Sequence, residues 1–190
     1  MSRRPLGKLR IIGGEHRSRL VEFDAESGVR PTPDRVRQTV YDWLSPNIEG
    51  SRCLDLFAGS GALGLEAISR GAAHVSFVEV GMRQNTLIKS ALMMLKIPHQ
   101  RFDVAMLDAM SYLSQTWHRY NVVFIDPPFA SGLLESALEE LPKVLAPFNR
   151  IYIEWPEGKQ PALPANFSWL KEKKAGKVCY GLATYSVEKS

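Results

Sequence analysis

Two short stretches of this sequence bring together residue types that could act on an amine. The first is Asn121-Val-Val-Phe-Ile-Asp126-Pro127-Pro128-Phe129. An apolar run delivers a carboxylate, two prolines and an aromatic ring at its end. An exocyclic amine on a nucleobase is a poor nucleophile, because its lone pair is delocalised into the ring. Two acceptors on its hydrogens push the nitrogen toward sp³ and fix its direction. Asp126 can supply one acceptor and the carbonyl of Pro127 the other. Pro127 and Pro128 fix the backbone and add no competing N–H. Phe129 offers a flat face on which a base can stack, a contact worth about 1–3 kcal/mol. Standing alone, these residues read better as an Asp-Pro turn closing a buried strand; their place on the fourth strand, downstream of a glycine loop, favours the amine reading.

The second stretch is Asp55-Leu-Phe57-Ala-Gly59-Ser60-Gly61-Ala-Leu-Gly64, followed by Glu79. The glycines follow the G-x-G-x-x-G pattern and let the backbone approach a ligand closely. A carboxylate about 20 residues further on can accept from ribose hydroxyls. Asp55 stands four residues before Gly59. Beside a pyrophosphate it would repel, whereas beside a sulfonium or ammonium it attracts. The expected cofactor is therefore S-adenosylmethionine rather than a dinucleotide. Asp108, with Ala109 behind it, follows the third strand of this region. It is placed to accept from an adenine amine, and it suits the N-cap of the next helix equally well.

The surrounding pattern positions both stretches. Residues 8–23 read as two strands about Gly13-Gly14, and 34–45 as a helix with Val36, Val40, Trp43 and Leu44 at helical spacing. From residue 52 strands and helices alternate. Strands are expected at 53–57, 74–79, 102–104, 121–125 and 150–154, with helices at 62–70, 82–96, 109–115 and 132–145. A closing hairpin spans 167–171 and 178–187. Such alternation predicts an α/β fold with a mostly parallel, doubly wound sheet. Ligands then bind beyond the C-terminal strand ends, at the switch point. The division expected is a basic extension over 1–48, a hairpin and helix contacting RNA, and a cofactor-binding domain over 49–190.

With 190 residues, 45% hydrophobic and 23% charged, the composition is globular and excludes disorder along the whole length. Cys53 and Cys179 lie too far apart in sequence to suggest a disulfide scaffold. The four histidines show no metal-ligand spacing, so no metal is expected. No apolar run approaches a membrane span, and Met-Ser-Arg-Arg-Pro does not begin a secretory signal; a cytoplasmic protein without membrane contact is expected. The net charge is +4, distributed as +4 over 1–37, −4 over 38–157 and +4 over 158–190. Basic ends around an acidic middle suit a polyanion. Arg10, Arg17 and Arg19 on the first hairpin, Arg35 and Arg37 on the helix, and Lys171, Lys173 and Lys174 on the last hairpin are the RNA-contact candidates. A salt bridge to the acidic middle competes for Arg35 and Arg37. Cys179 is expected to be a buried strand residue.

Taken together, Arg10-Ile-Ile-Gly-Gly, Arg30-Pro-Thr-Pro-Asp-Arg-Val-Arg37, Leu54 to Gly64 and Phe124-Ile-Asp-Pro-Pro-Phe129 resemble the bacterial small-subunit rRNA guanine-N2 methyltransferases of the RsmD type. The resemblance runs from about residue 8 to about residue 186. It implies a Rossmann-like class I methyltransferase fold, seven-stranded with an antiparallel C-terminal hairpin. It further implies methyl transfer from S-adenosylmethionine to N2 of one guanine in 16S rRNA. The implied partner is the small ribosomal subunit or an assembly intermediate, met by a monomer. The motifs themselves leave two alternatives: an adenine-N6 or other amine methyltransferase, and a non-catalytic RNA-binding assembly factor.

Overall fold

The structure, a computed structural model, describes residues 5–129 and 131–187. Arg3 and Arg4, two further basic residues of the N-terminus, lie outside them. Strands β1 (Leu6–Arg10) and β2 (Leu20–Asp24) pair antiparallel as a separate hairpin. Helix α1 (Asp34–Ile48) follows. Next come β3 (Arg52–Asp55), α2 (Ala62–Ser69), β4 (His74–Val78), α3 (Met82–Met94), β5 (Phe102–Ala105), α4 (Ala109–Gln115), β6 (Tyr120–Ile125), α5 (Leu133–Glu140), β7 (Leu145–Pro156), β8 (Phe167–Ala175) and β9 (Val178–Tyr185).

The seven-stranded sheet has the order β5-β4-β3-β6-β7-β9-β8. β3 to β7 are parallel, while β9 runs antiparallel to both β7 and β8. The chain winds outward from β3 through β4 to β5, then returns to place β6 on the other side of β3. The switch point therefore lies between β3 and β6, at the ends that carry Asp55 and Asp126.

Each face of the sheet is covered. One side packs Leu54, Val123, Ile125 and Ile153 against α4 and α5 through Leu113, Leu134 and Leu138. The other packs Phe77, Phe124, Tyr152 and Tyr180 against α1, α2 and α3 through Tyr41, Leu44, Leu65, Ile88 and Leu92. Leu9, Ile11, Val21 and Phe23 of the β1–β2 hairpin belong to this same cluster. Residues of the hairpin and of α1 thus contribute to the core on this face of the sheet.

Several boundaries differ from expectation, among them β3, which ends at Asp55, and β8, which runs on to Ala175; three further differences have a visible cause. Helix α1 continues past Pro46 to Ile48, because Leu44 and Ile48 are buried on its inner face. The helix expected over 132–145 ends at Glu140 and tightens into a 3-10 turn over Leu141–Val144, where Pro142 cannot donate to the helical ladder. β7 is longer than the expected 150–154. Its early half is tied to β9 by Asn149, whose Nδ2 donates to the Tyr185 carbonyl at 2.9 Å and whose Oδ1 accepts from the Tyr185 N–H at 2.8 Å.

Candidate methyltransferase site

The loop between β3 and α2 is shaped by its glycines. Gly59 and Gly61 have φ of +52° and +78°, a region that costs a residue with a Cβ. Val29, in the segment before α1, lies over the loop: a Cβ on Gly59 would come within 3.3 Å of its Cγ1. Gly64 serves packing instead. A Cβ there would meet the Phe77 ring at 2.3 Å and Asp55 Oδ2 at 3.0 Å. The Gly64 N–H donates to Asp55 Oδ2 at 2.9 Å. Ser60 is buried beside it and its Oγ accepts from the Ala62 N–H at 3.3 Å.

Asp55 is buried at the tip of β3. Burial pushes its carboxyl up to about 7, opposed by the Gly64 hydrogen bond and reinforced by the charge of Glu79. Among the described residues it has no ion-pair partner. Glu79, just past β4, accepts from the Gly59 N–H through Oε2 and from the Gly81 N–H through Oε1, both at 2.8 Å. These bonds fix its orientation and leave a lone pair on each oxygen. Asp108 caps α4, accepting from the Ser111 N–H at 2.9 Å and the Ser111 hydroxyl at 2.6 Å. Those bonds hold its carboxyl below the usual range, and it is exposed. Ala109 beside it is buried, and Phe57 is half-buried against the α4–α5 side. A buried, unpaired carboxylate, a positive-φ glycine loop and an oriented acceptor at the next strand end form a donor set that fits S-adenosylmethionine.

Asp126 follows β6 directly. Burial pushes its carboxyl well above the usual range, and the charges of Glu154 and Asp55 add to the shift. Pro127 is buried, Pro128 is exposed, and Phe129 is 50% exposed, a ring available to a ligand. Tyr152 and Glu154 of β7, the strand paired with β6, lie next to this strand end. Glu154 of β7 is buried, and its Oε2 accepts from the Tyr152 hydroxyl at 2.9 Å. Burial raises the carboxyl of Glu154, opposed by that hydroxyl.

The basic candidates separate into groups. Arg37 is corrected: it is buried and cannot reach a phosphate. Its guanidinium donates to the Thr32 carbonyl at 3.0 Å, the Arg10 carbonyl at 2.9 Å, Asp34 at 2.6 Å and Glu66 at 3.3 Å. Glu66, with a fully buried side chain, also accepts from the N–H groups of Ile12 and Gly13 and from Arg70. This knot fastens the β1–β2 hairpin to α2 and α1. Arg17 and Arg19 are exposed, but they sit where the hairpin turn meets the far end of α2. The Glu15 N–H bonds the Ser69 carbonyl there at 2.8 Å. Arg10 and Arg35 are exposed, and so is Arg30 next to Val29. Lys171, Lys173 and Lys174 are exposed on the edge strand β8, with Lys174 paired to Glu157. Lys173 pairs in register with Tyr180, and Tyr180 with Glu154, so it lies two strands across from the site, roughly 10 Å. Cys179 is half-buried rather than buried, and Cys53 is buried with its thiol pushed up to about 12.

The family described as Conserved hypothetical protein 95 matches residues 9–184. Ribosomal RNA small subunit methyltransferase D of Escherichia coli is 45% identical over 179 residues, 93% of this chain and 89% of that protein. The chain belongs to the RsmD-type family of S-adenosylmethionine-dependent rRNA methyltransferases. Its Haemophilus influenzae relative of the same name is 40% identical over 180 residues, 93% of each chain. The RsmD-type fold also aligns with the solved structure of Escherichia coli yhhF, at a TM-score of 0.87 and 42% identity over 95% of this chain and 99% of that one. The expected seven-stranded class I methyltransferase fold is the one found.

Proposed function

We propose that this protein methylates the exocyclic N2 amine of one guanine in the RNA of the small ribosomal subunit. The observation that carries this reading is the meeting of Asp55 and Asp126 at neighbouring strand ends across the switch point. The family relatives' names supply the RNA class. S-adenosylmethionine, when bound, supplies a methyl made electrophilic by its sulfonium.

The chain's own residues do the rest. Asp55 offers its carboxylate to the cofactor's positive charge, Glu79 accepts from ribose hydroxyls, and the Gly59–Gly61 turn admits the cofactor without side-chain obstruction. Asp108 combines its capping role with acceptance from the adenine amine beside Ala109. Phe129 stacks the target base, which must leave its own stack to reach it. Asp126 and the Pro127 carbonyl each accept one amine hydrogen. That orients the nitrogen lone pair; as the N–C bond forms, the methyl's bond to sulfur would break with its electron pair left on the thioether, and one amine proton leaves to solvent. Positioning of this kind can supply about 7–11 kcal/mol of a barrier. Arg30, Arg35, Lys171 and Lys173 hold phosphates around the opening and carry no sequence information themselves.

Small subunits lacking the modification, incubated with protein and cofactor and mapped by mass, should gain one methyl on one guanine. Modification of adenine, or of protein only, would overturn this reading.

A further inference from the structure

Glu154 has no part in the mechanism above, yet its position is specific. Phe124 of β6 and Tyr152 of β7 are direct neighbours in the parallel ladder. Side chains alternate along strands, so two residues on, Asp126 and Glu154 stand side by side on the same face. Two carboxylates are thus set next to each other at adjacent strand ends. Among the described residues neither has a cation as partner. Like charges so placed repel. A ligand presenting two adjacent donors relieves that repulsion, one donor to each carboxylate. Glu154 is 9% exposed, and the Tyr152 hydroxyl occupies its Oε2. Its Oε1 has no protein hydrogen bond among the described residues, and it is the atom left for a ligand. Tyr152 is itself buried between Phe124 and Tyr180, at ring distances of 6.3 Å and 6.2 Å, so Glu154 is anchored on a rigid support.

The Watson–Crick edge of guanine carries N1–H beside the N2 amine, two donors in a row. Adenine carries an acceptor, N1, beside its N6 amine. We propose that Glu154 accepts the guanine N1–H through Oε1 while Asp126 accepts from the N2 amine, so that Glu154 sets the preference for guanine. The inference rests on the guanine-N2 reading above. With adenine's amine at Asp126, the lone pair of N1 would face a carboxylate. A buried acceptor left opposite another acceptor is the kind of mismatch that discriminates most strongly.

The test uses 2,6-diaminopurine, which keeps the 2-amine but has no hydrogen at N1. Small subunits are reconstituted with guanine or with diaminopurine at the nucleotide identified by mass mapping. The wild-type protein should favour guanine by about 10–100-fold in kcat/KM, as expected for loss of a hydrogen bond to a charged group. In Glu154→Gln the amide can donate to a bare N1, so the preference should fall to a few-fold or reverse. Tyr152→Phe, which frees the Glu154 carboxylate from its anchor, should lower the preference while leaving S-adenosylmethionine affinity unchanged. Equal use of the two bases by the wild type, or an unaltered preference in a folded Glu154→Gln, would overturn the assignment. Failure to methylate any guanine would instead refute the underlying reading.

Discussion

Cofactor affinity should depend on pH through Asp55. Its carboxyl titrates at about 7 in the free protein because it is buried without a cation. At pH 6 about one molecule in ten carries the charge, and at pH 8 about nine in ten. A bound sulfonium or ammonium holds the group ionised, so below pH 7 binding must first expel a proton. Affinity for S-adenosylmethionine should therefore rise about tenfold, or about 1.4 kcal/mol, from pH 6 to pH 8 and level off above. Calorimetry in two buffers of different ionisation enthalpy reads both the affinity and the proton released. In Asp55→Asn the slope should shrink to that of the cofactor's own titration. The folded-state pKa lies above the unfolded value, so the sign for stability is opposite. This contribution is fully present below about pH 4 and is lost as the pH rises through about 7, up to about 4 kcal/mol. Without cofactor, Asp55→Asn should gain in Tm on the wild type between pH 5 and pH 8. A wild-type affinity flat with pH, or a slope that survives in Asp55→Asn unchanged, would refute the reasoning.

Glu66→Ala should cost about 3–5 kcal/mol in denaturant unfolding, because the buried Arg37 keeps only the exposed Asp34 as counter-charge and the Ile12 and Gly13 N–H groups lose their acceptor. Arg37→Lys, which cannot reproduce the bonds to the Thr32 and Arg10 carbonyls, should also destabilise without reducing the salt dependence of RNA binding. Replacing Lys171 and Lys173 together with Ser should lower the slope of log affinity against log salt by about 1.5–2, as two lost phosphate contacts require. Arg17→Ser, at the far end of α2 from the glycine loop, should leave that slope unchanged in filter-binding measurements.

Much of the site is legible from sequence because its physics is local. The apolar run Tyr120–Ile125 can only be a buried strand, and Asp126 is therefore its C-terminal tip. The glycine pattern marks the loop in the same way. For Arg37 the competing salt bridge, not the RNA contact, is the one found. The residues 37, 41, 44 and 48 form one helical stripe, and Tyr41, Leu44 and Ile48 are all buried. Position on that stripe was the available signal, but it says nothing of the partner, Glu66, which lies in a helix buried on every side. Val29 over Gly59 and Glu154 beside Asp126 are tertiary facts. They depend on strand order and on where the segment before α1 lies, neither of which has a local pattern. The reach of β7 back to Leu145 was hidden for a similar reason, since Asn149 earns its place in a strand only by bonding β9.

The most direct test of the central claim is single-turnover methyl transfer by Asp126→Ala, measured beside cofactor binding. The account predicts a loss of at least about 10²-fold in the rate of transfer. Affinity for S-adenosylmethionine should stay within a few-fold of wild type, because Asp55 and Glu79 hold the cofactor. An Asp126→Ala protein that transfers methyl at the wild-type rate would contradict it.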